Sequence, residues 1–229
     1  MYYLISISDF LVFVMFIIAL LRFIRKKRDV YLVWTIGFLF SFLSMLSFLI
    51  YLNSGTILFF YAYYLLGAGI PPAMWGMGAV FVLNNKKLKK ISLYFTIFVS
   101  IVLFISLFFT KVSQFQSISL ILYFKEGRIF SNFVSPSGSD VLKSGFWEIP
   151  VFILTFLGTI EIIVAFIYSI VIALRKKILD RILIGITIIT LATAITGIVG
   201  TITRFEYFYL FWPGVVFGIA LIFLGFTIL

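Results

Sequence analysis

A chain of 229 residues that is 63% hydrophobic and 11% charged, with a mean hydropathy of +1.23, carries more apolar surface than a water-soluble core can hide. It has no cysteine and no histidine, which excludes disulfides, iron–sulfur clusters, thiol nucleophiles, His-ligated haem or zinc, Ser–His catalysis and histidine pH sensing. The formal net charge of +10 does not point to nucleic acid, because the basic residues sit in short clusters between apolar runs, where they set topology.

Seven runs are long enough to span a bilayer: Tyr3–Ile24, Val30–Leu52, Ile57–Leu83, Ile91–Thr110, Ile149–Leu174, Ile182–Thr203 and Tyr207–Leu229. The expected fold is an all-α integral membrane protein, one seven-helix bundle covering residues 1–229. The first run is not a cleaved signal peptide. It lacks a basic leader and is followed by Arg25, Lys26, Lys27 and Arg28 rather than a small-residue cleavage site. Asp9 lies a few residues into it and is placed near the outer interface.

The third run is unlike the others. Where they are rich in Phe, Ile and Leu, it carries Gly67, Ala68, Gly69, Pro71, Pro72, Gly76 and Gly78. Small residues let helices approach closely in lipid, so this run is expected at the packed centre of the bundle. Pro71 and Pro72 have no N–H, so the carbonyls of Gly67 and Ala68 lose their helical donors. In lipid those oxygens must meet a hydroxyl from another helix, a trapped water or a ligand. Two readings follow, a kink satisfied internally or a pair of acceptors lining a polar cavity, as in transporters with broken helices.

Residues 111–148 form a long polar connection. Within it Ile118–Phe124 and Arg128–Phe133 flank Lys125, Glu126 and Gly127, the pattern of a short β-hairpin. Trp147 stands where the fifth run enters the interface.

In the fifth run Glu161 is read as the one carboxylate deep in a span, facing inward with Gly158, Ala165 and Tyr168. Burial without a counter-charge favours the neutral acid. It either carries a proton or binds substrate, the default for an ionisable group in lipid, or it hydrogen-bonds a threonine of the sixth run. That run offers Thr187, Thr190, Thr193 and Thr196, with Thr193–Gly197 and Thr196–Gly200 as close-packing pairs. Its hydroxyls can equally bond back to their own helix. Glu161, Gly67, Ala68, Pro71, Pro72, Tyr168, Thr190 and Thr193 make up the candidate intramembrane site.

Three connections hold thirteen of the eighteen Lys and Arg: Arg22 with Arg25, Lys26, Lys27 and Arg28; Lys86, Lys87, Lys89 and Lys90; and Arg175, Lys176, Lys177 and Arg181. Charge on the other side sums to zero. The positive-inside rule then places the N-terminus outside and the C-terminus inside, in a multi-pass protein of the cell membrane. The clusters are expected to contact anionic lipid head groups on the cytoplasmic side.

The first and second halves run alike. Basic clusters follow the first and fifth spans, and Tyr-led helices with Pro and Gly follow in each half: Tyr63, Tyr64, Gly67 and Pro71, then Tyr207, Tyr209, Pro213 and Gly214. This is a 3+1+3 plan with parallel repeats. In topology it resembles sugar facilitators of the SWEET type, although those carry their prolines in the first two helices of each triplet, not in the third and seventh spans. Microbial rhodopsins share the seven spans, but no span here holds the retinal lysine. Tyr63–Ala68 (YYLLGA), the Gly76–Gly78 GMG before a basic loop, and Gly158-Thr159 with Tyr168-Ser169 before the RKK cluster resemble uncharacterised prokaryotic seven-span proteins, a likeness that implies a fold and no activity. Sensor-type seven-span modules also look similar, but they precede a signalling domain. The functional expectation is a non-catalytic polytopic protein without metal or cofactor, either a subunit of a membrane complex or a ligand-binding bundle. The alternative is a small-solute or proton-coupled transporter using Glu161 and the Pro71–Pro72 break.

Overall fold

The computed structural model describes residues 2–54, 56–83, 85–110, 145–176, 181–202 and 211–229. All elements among them are helical: α1 (Tyr2–Lys26), α2 (Asp29–Ser54), α3 (Ile57–Tyr64), a π-helical turn (Leu65–Gly69), α4 (Ile70–Val82), α5 (Lys86–Phe108), α6 (Glu148–Lys176), α7 (Arg181–Ile202) and α8 (Phe211–Ile228). Helices satisfy their own backbone, which lipid cannot do. Five stretches are long and apolar enough to cross a membrane: Tyr3–Lys26, Asp29–Ser54, Leu58–Val82, Lys86–Phe108 and Glu148–Arg175. Arg181–Thr196 and Pro213–Ile228 are apolar and shorter. The chain is a helical membrane protein. The expected hairpin at Ile118–Phe124 and Arg128–Phe133, Lys177, and Tyr207 and Tyr209 of the second repeat lie outside the described residues.

Local chemistry sets the turns. Lys27 closes α1 in the left-handed region (φ 48°), its N–H donating to Phe23 O at 2.7 Å, and Asp29 then opens α2 with an acid at the positive end of the helix dipole. Asn85 caps α5, its Oδ1 accepting from the N–H groups of Lys87 and Leu88.

The third span, α3 through α4, lies antiparallel to α2 along its whole length. Tyr51 meets Phe60, with ring centroids 4.9 Å apart, and Phe48 stacks on Tyr63 at 4.5 Å. Ser44 Oγ donates to Tyr63 O at 2.9 Å and fills the notch left by Gly67. Lower down, Gly37 faces Trp75 and Gly78 faces the Trp34 indole. This span is 59% buried, against 28–44% for the other four long ones, so the glycine-rich run is the most enclosed of them. Its break takes the form of a π turn whose last residue, Gly69, is followed at once by Pro71 and Pro72 in the first turn of α4. A hydroxyl from a neighbouring helix does serve the break, but at Tyr63 O, ahead of the Gly67 and Ala68 carbonyls.

Elsewhere α7 and α8 form an antiparallel pair with their backbones in contact at Gly185 and Gly225. The C-terminus of α8 returns to α1. The Arg22 guanidinium donates to Phe226 O at 2.8 Å and Thr227 O at 2.9 Å, and lies 4.9 Å from the Phe226 ring centroid. A cation on the last carbonyls of a helix satisfies acceptors left open there and complements the dipole. Because Arg22 sits on the last turns of α1, α1 and α8 run the same way. With the antiparallel pairing of α2 and the third span, the basic ends of α1 and of the α4–α5 connection fall at one end of the bundle.

Arg22→Ala should lower the thermal unfolding midpoint in detergent, by an amount in the range of about 1.5–3 kcal/mol for hydrogen bonds to a charged group. Arg22→Lys should recover part of it; equal stability of all three proteins would show that this contact does not hold α8 to α1.

Candidate functional site

The site begins with a backbone contact. The α4 and α6 helices run parallel, and small residues let them touch. A methyl group at Gly69 would stand 3.0 Å from Leu154 Cδ1; one at Gly158 would strike the Pro72 carbonyl and lie 2.9 Å from Ala73 N; one at Gly76 would lie 2.6 Å from Gly158 Cα and 2.9 Å from Glu161 Oε2. The pairing thus advances in step along both helices and carries Glu161 to the level of Gly76.

There the carboxyl is closed in. Glu161 is 6% exposed, between Leu154 and Ile162 on its own helix and the α4 backbone. Ser92, on α5, stands beside the carboxyl, yet neither Ser92 Oγ nor Glu161 Oε2 has a hydrogen-bond partner in ordinary geometry. One and two turns farther along α5 come Thr96 and Ser100, whose hydroxyls also lack partners. Ser92 and Thr96 are 4% and 0% exposed. Spacing of four places all three hydroxyls on one helix face, a line about 12 Å long at 1.5 Å per residue.

The two ends of this line differ. Gly76 and Ser92 are each six residues from the α4–α5 connection, so the acid lies about 9 Å below that basic end. Past Ser100 the same region is apolar. Val99, Leu103 and Leu107 pack with Leu154, Tyr64 and Trp147 in one buried cluster, where Tyr64 and Trp147 meet edge-to-face at 5.2 Å.

The expected site residues are distributed as follows. Glu161 is buried as expected. Pro71 is buried and Pro72 touches Gly158, one turn short of the acid, while Gly69, two turns from Gly76, faces Leu154 rather than Glu161. Gly67 faces Ser44. Tyr168 is 43% exposed and points away; the inward face of α6 is Glu161, Ala165 and Ser169, and Ser169 takes the position expected of Tyr168. Thr190 and Thr193 bond back to Ile186 O and Ile189 O, as Thr187 and Thr196 do to Leu183 O and Ala192 O, so these hydroxyls are spent within α7. Asp9, placed near the outer interface from sequence, is 8% exposed, with Oδ1 unpartnered beside the equally unpartnered Ser8 on α1. It is therefore a second enclosed acid. Arg25, Lys26, Lys27, Arg28, Lys86, Lys87, Lys90 and Arg175 are exposed at their helix ends, while Lys89 folds over the Phe81 ring at 5.2 Å.

The hydroxyl line on α5 is what sequence reading missed. The signal was present as Ser92, Thr96 and Ser100 at helical spacing in a helix otherwise made of Phe, Ile, Leu and Val. No protein-family model, curated protein or solved structure matches this chain.

Gly158→Ala and Gly76→Ala should each destabilise the protein, because the new methyl meets backbone that cannot rotate away; overpacking of this kind costs about 1–3 kcal/mol or more. Tyr168→Ala, on the outward side of the same helix, should stay within about 0.5 kcal/mol of the parent. Thermal unfolding in detergent of the three variants checks the contrast.

Proposed function

We propose that this protein is a seven-span, non-catalytic bundle of the cell membrane that binds a small polar ligand between α4, α5 and α6, with Glu161, Ser92 and Thr96 as its contacts. In this reading α7 and α8 complete the spans and the N-terminus is outside. The basic end faces the cytoplasm, where Arg25, Lys26, Lys27, Arg28, Lys86, Lys87, Lys90 and Arg175 meet anionic head groups. The observation that carries it is the set of three buried oxygens, Glu161 on α6 with Ser92 beside it and Thr96 one turn farther along α5, that have no hydrogen-bond partner in ordinary geometry. A buried polar group normally finds a partner, and one left open is costly unless something else fills the role. An enzymatic reading lacks its groups. Intramembrane carboxylate chemistry needs two facing acids, and Asp9 lies on α1, which packs on α2 and α8, not on the Glu161 site.

The chain contains no cysteine, so a single introduced thiol reports access. A charged, membrane-impermeant methanethiosulfonate reagent should label Ser92→Cys from the basic-end side of sealed vesicles. Leu103→Cys, inside the apolar closure, and Phe98→Cys, on the lipid face, should stay unlabelled. If Ser92→Cys and Thr96→Cys resist from both sides, the acid is a sealed structural group and the binding reading falls.

A second reading, proton-coupled or small-solute transport, is favoured by one contact. The π turn and the prolines pack at Gly69 on Leu154, a member of the apolar closure, and π turns recur at functional sites in helices. Movement there would open the far end. Under this reading Glu161→Gln abolishes pH-driven uptake in proteoliposomes, and unchanged flux removes the proton role.

A further inference from the structure

The three strongest unexplained features of the molecule are the Ser8–Asp9 pair on α1, the unpartnered indoles of Trp34 and Trp75 between α2 and α4, and the oxygen set around Glu161. The first two each present their unpartnered groups without a neighbouring complement in view. The third brings together donors of one kind.

We infer that the Glu161–Ser92–Thr96 site binds a dehydrated alkali-metal cation. The inference rests on the binding reading above and names the ligand class. Every unpartnered atom there is an oxygen: one carboxylate and two hydroxyls. The imidazole and thiolate ligands that would favour zinc are missing from the chain, which has no histidine and no cysteine. Hard oxygen donors suit hard cations.

Charge selects among those cations. Among the described residues Glu161 is the one acid at this site, and its Oε2 has no hydrogen-bond partner, basic side chains included. The nearest basic groups in sequence on the same hairpin, Lys86, Lys87 and Lys90, are exposed at the helix end, and Lys89 is turned onto Phe81. A single carboxylate balances a single positive charge. A divalent ion would leave an uncompensated charge in a low-dielectric interior, which is strongly unfavourable.

Size selects as well. A methyl group added at Gly76 would already lie 2.9 Å from Glu161 Oε2, and the adjoining α4–α6 seam is in backbone contact at Gly158. That closes the Gly76 side of the carboxyl even to a methyl group and leaves no place there for an organic ammonium or a sugar. An ion bridging Glu161 on α6 to Ser92 and Thr96 on α5 would tie the two helices across the seam. It would supply the partners those oxygens lack, as helix-borne oxygens do for coupling ions in transporters.

The test is thermal unfolding of the purified protein in detergent at fixed ionic strength, with choline chloride replaced stepwise by NaCl, KCl or LiCl. A ligand that binds the folded state raises the midpoint in a saturable way. The parent should show such a rise with at least one of the three salts. Glu161→Gln should abolish it, and Ser92→Ala should raise the half-saturating concentration at least tenfold. Asp9→Asn, which alters the other buried acid, should leave it unchanged. Midpoints of the parent that do not differ between choline and all three alkali salts overturn the inference. So does a rise that survives in Glu161→Gln. Should the parent show no salt response while Ser92→Cys is labelled as above, the cation fails and the binding reading stands; should Ser92→Cys and Thr96→Cys both be inaccessible, the two fail together.

Discussion

The close approach of α4 to α6 governs the rest of the molecule. Two helices with ordinary side chains at their contact stay 8–10 Å apart; Gly76 and Gly158 remove those side chains at matching heights, and the backbones meet. Lipid gives helices little hydrophobic reason to associate, so packing of this closeness is what holds them together. The same contact fixes where Glu161 goes. Three residues past Gly158, it is on the face that the contact turns inward, and no rotation of α6 can return it to lipid without separating the seam.

A second economy decides which polar groups remain available. In lipid a hydroxyl's cheapest acceptor is the carbonyl one turn back on its own helix. Thr35, Ser41, Thr187, Thr190, Thr193 and Thr196 all take that option. Ser44 is diverted to Tyr63 O, where the third span departs from α geometry. Against this background Ser92, Thr96 and Ser100 stand apart, three successive turns of one helix that decline the local acceptor and find no other. Their common face is the one turned toward α4 and α6. A packing explanation accounts for one such residue; for a run of three, ending opposite a buried acid, the proposed binding reading supplies the missing complement from outside the chain.

The parts of this arrangement that were legible from sequence are those set by composition and backbone chemistry. Helical spans follow from length and hydropathy. The enclosed position of the third span follows from Gly67 through Gly78, because only small residues permit contact on several faces. The burial of Glu161 was readable from Gly158 and Ala165 on its face. What was not legible depends on the exact turn of one helix against another. Tyr168 and Ser169 are adjacent, and a tilt that follows every fourth residue instead of 3.6 exchanges which of them faces inward. The π turn adds a residue to the third span ahead of the prolines, which shifts everything after it around the axis and brings Gly76, rather than the break, to the acid. The choice of α5 over α7 as the source of hydroxyls rests on the same ground. Thr190 and Thr193 are three residues apart and Ser92 and Thr96 four, both spacings that share a helix face, and it is the packing of α5 on α4 and α6 that sets the second pair apart.

The position of the acid relative to the basic end bears on what can reach it. Over the about 9 Å between them the charge of the α4–α5 connection is screened by salt only where it faces water, and much less through the buried interior around Glu161. Lysines there oppose the entry of a cation from bulk water. In the proposed orientation they are also where anionic head groups would collect, and those would neutralise the same charge. The field at the entrance is therefore set jointly by the chain and by the lipid around it, while the floor, a single carboxylate with hydroxyls on one side and bare backbone on the other, belongs to the protein alone. Under the proposed binding reading, affinity would be fixed by the carboxylate and its hydroxyls and access by the basic end, since Leu103, Leu107 and Leu154 close the other side with an apolar cluster.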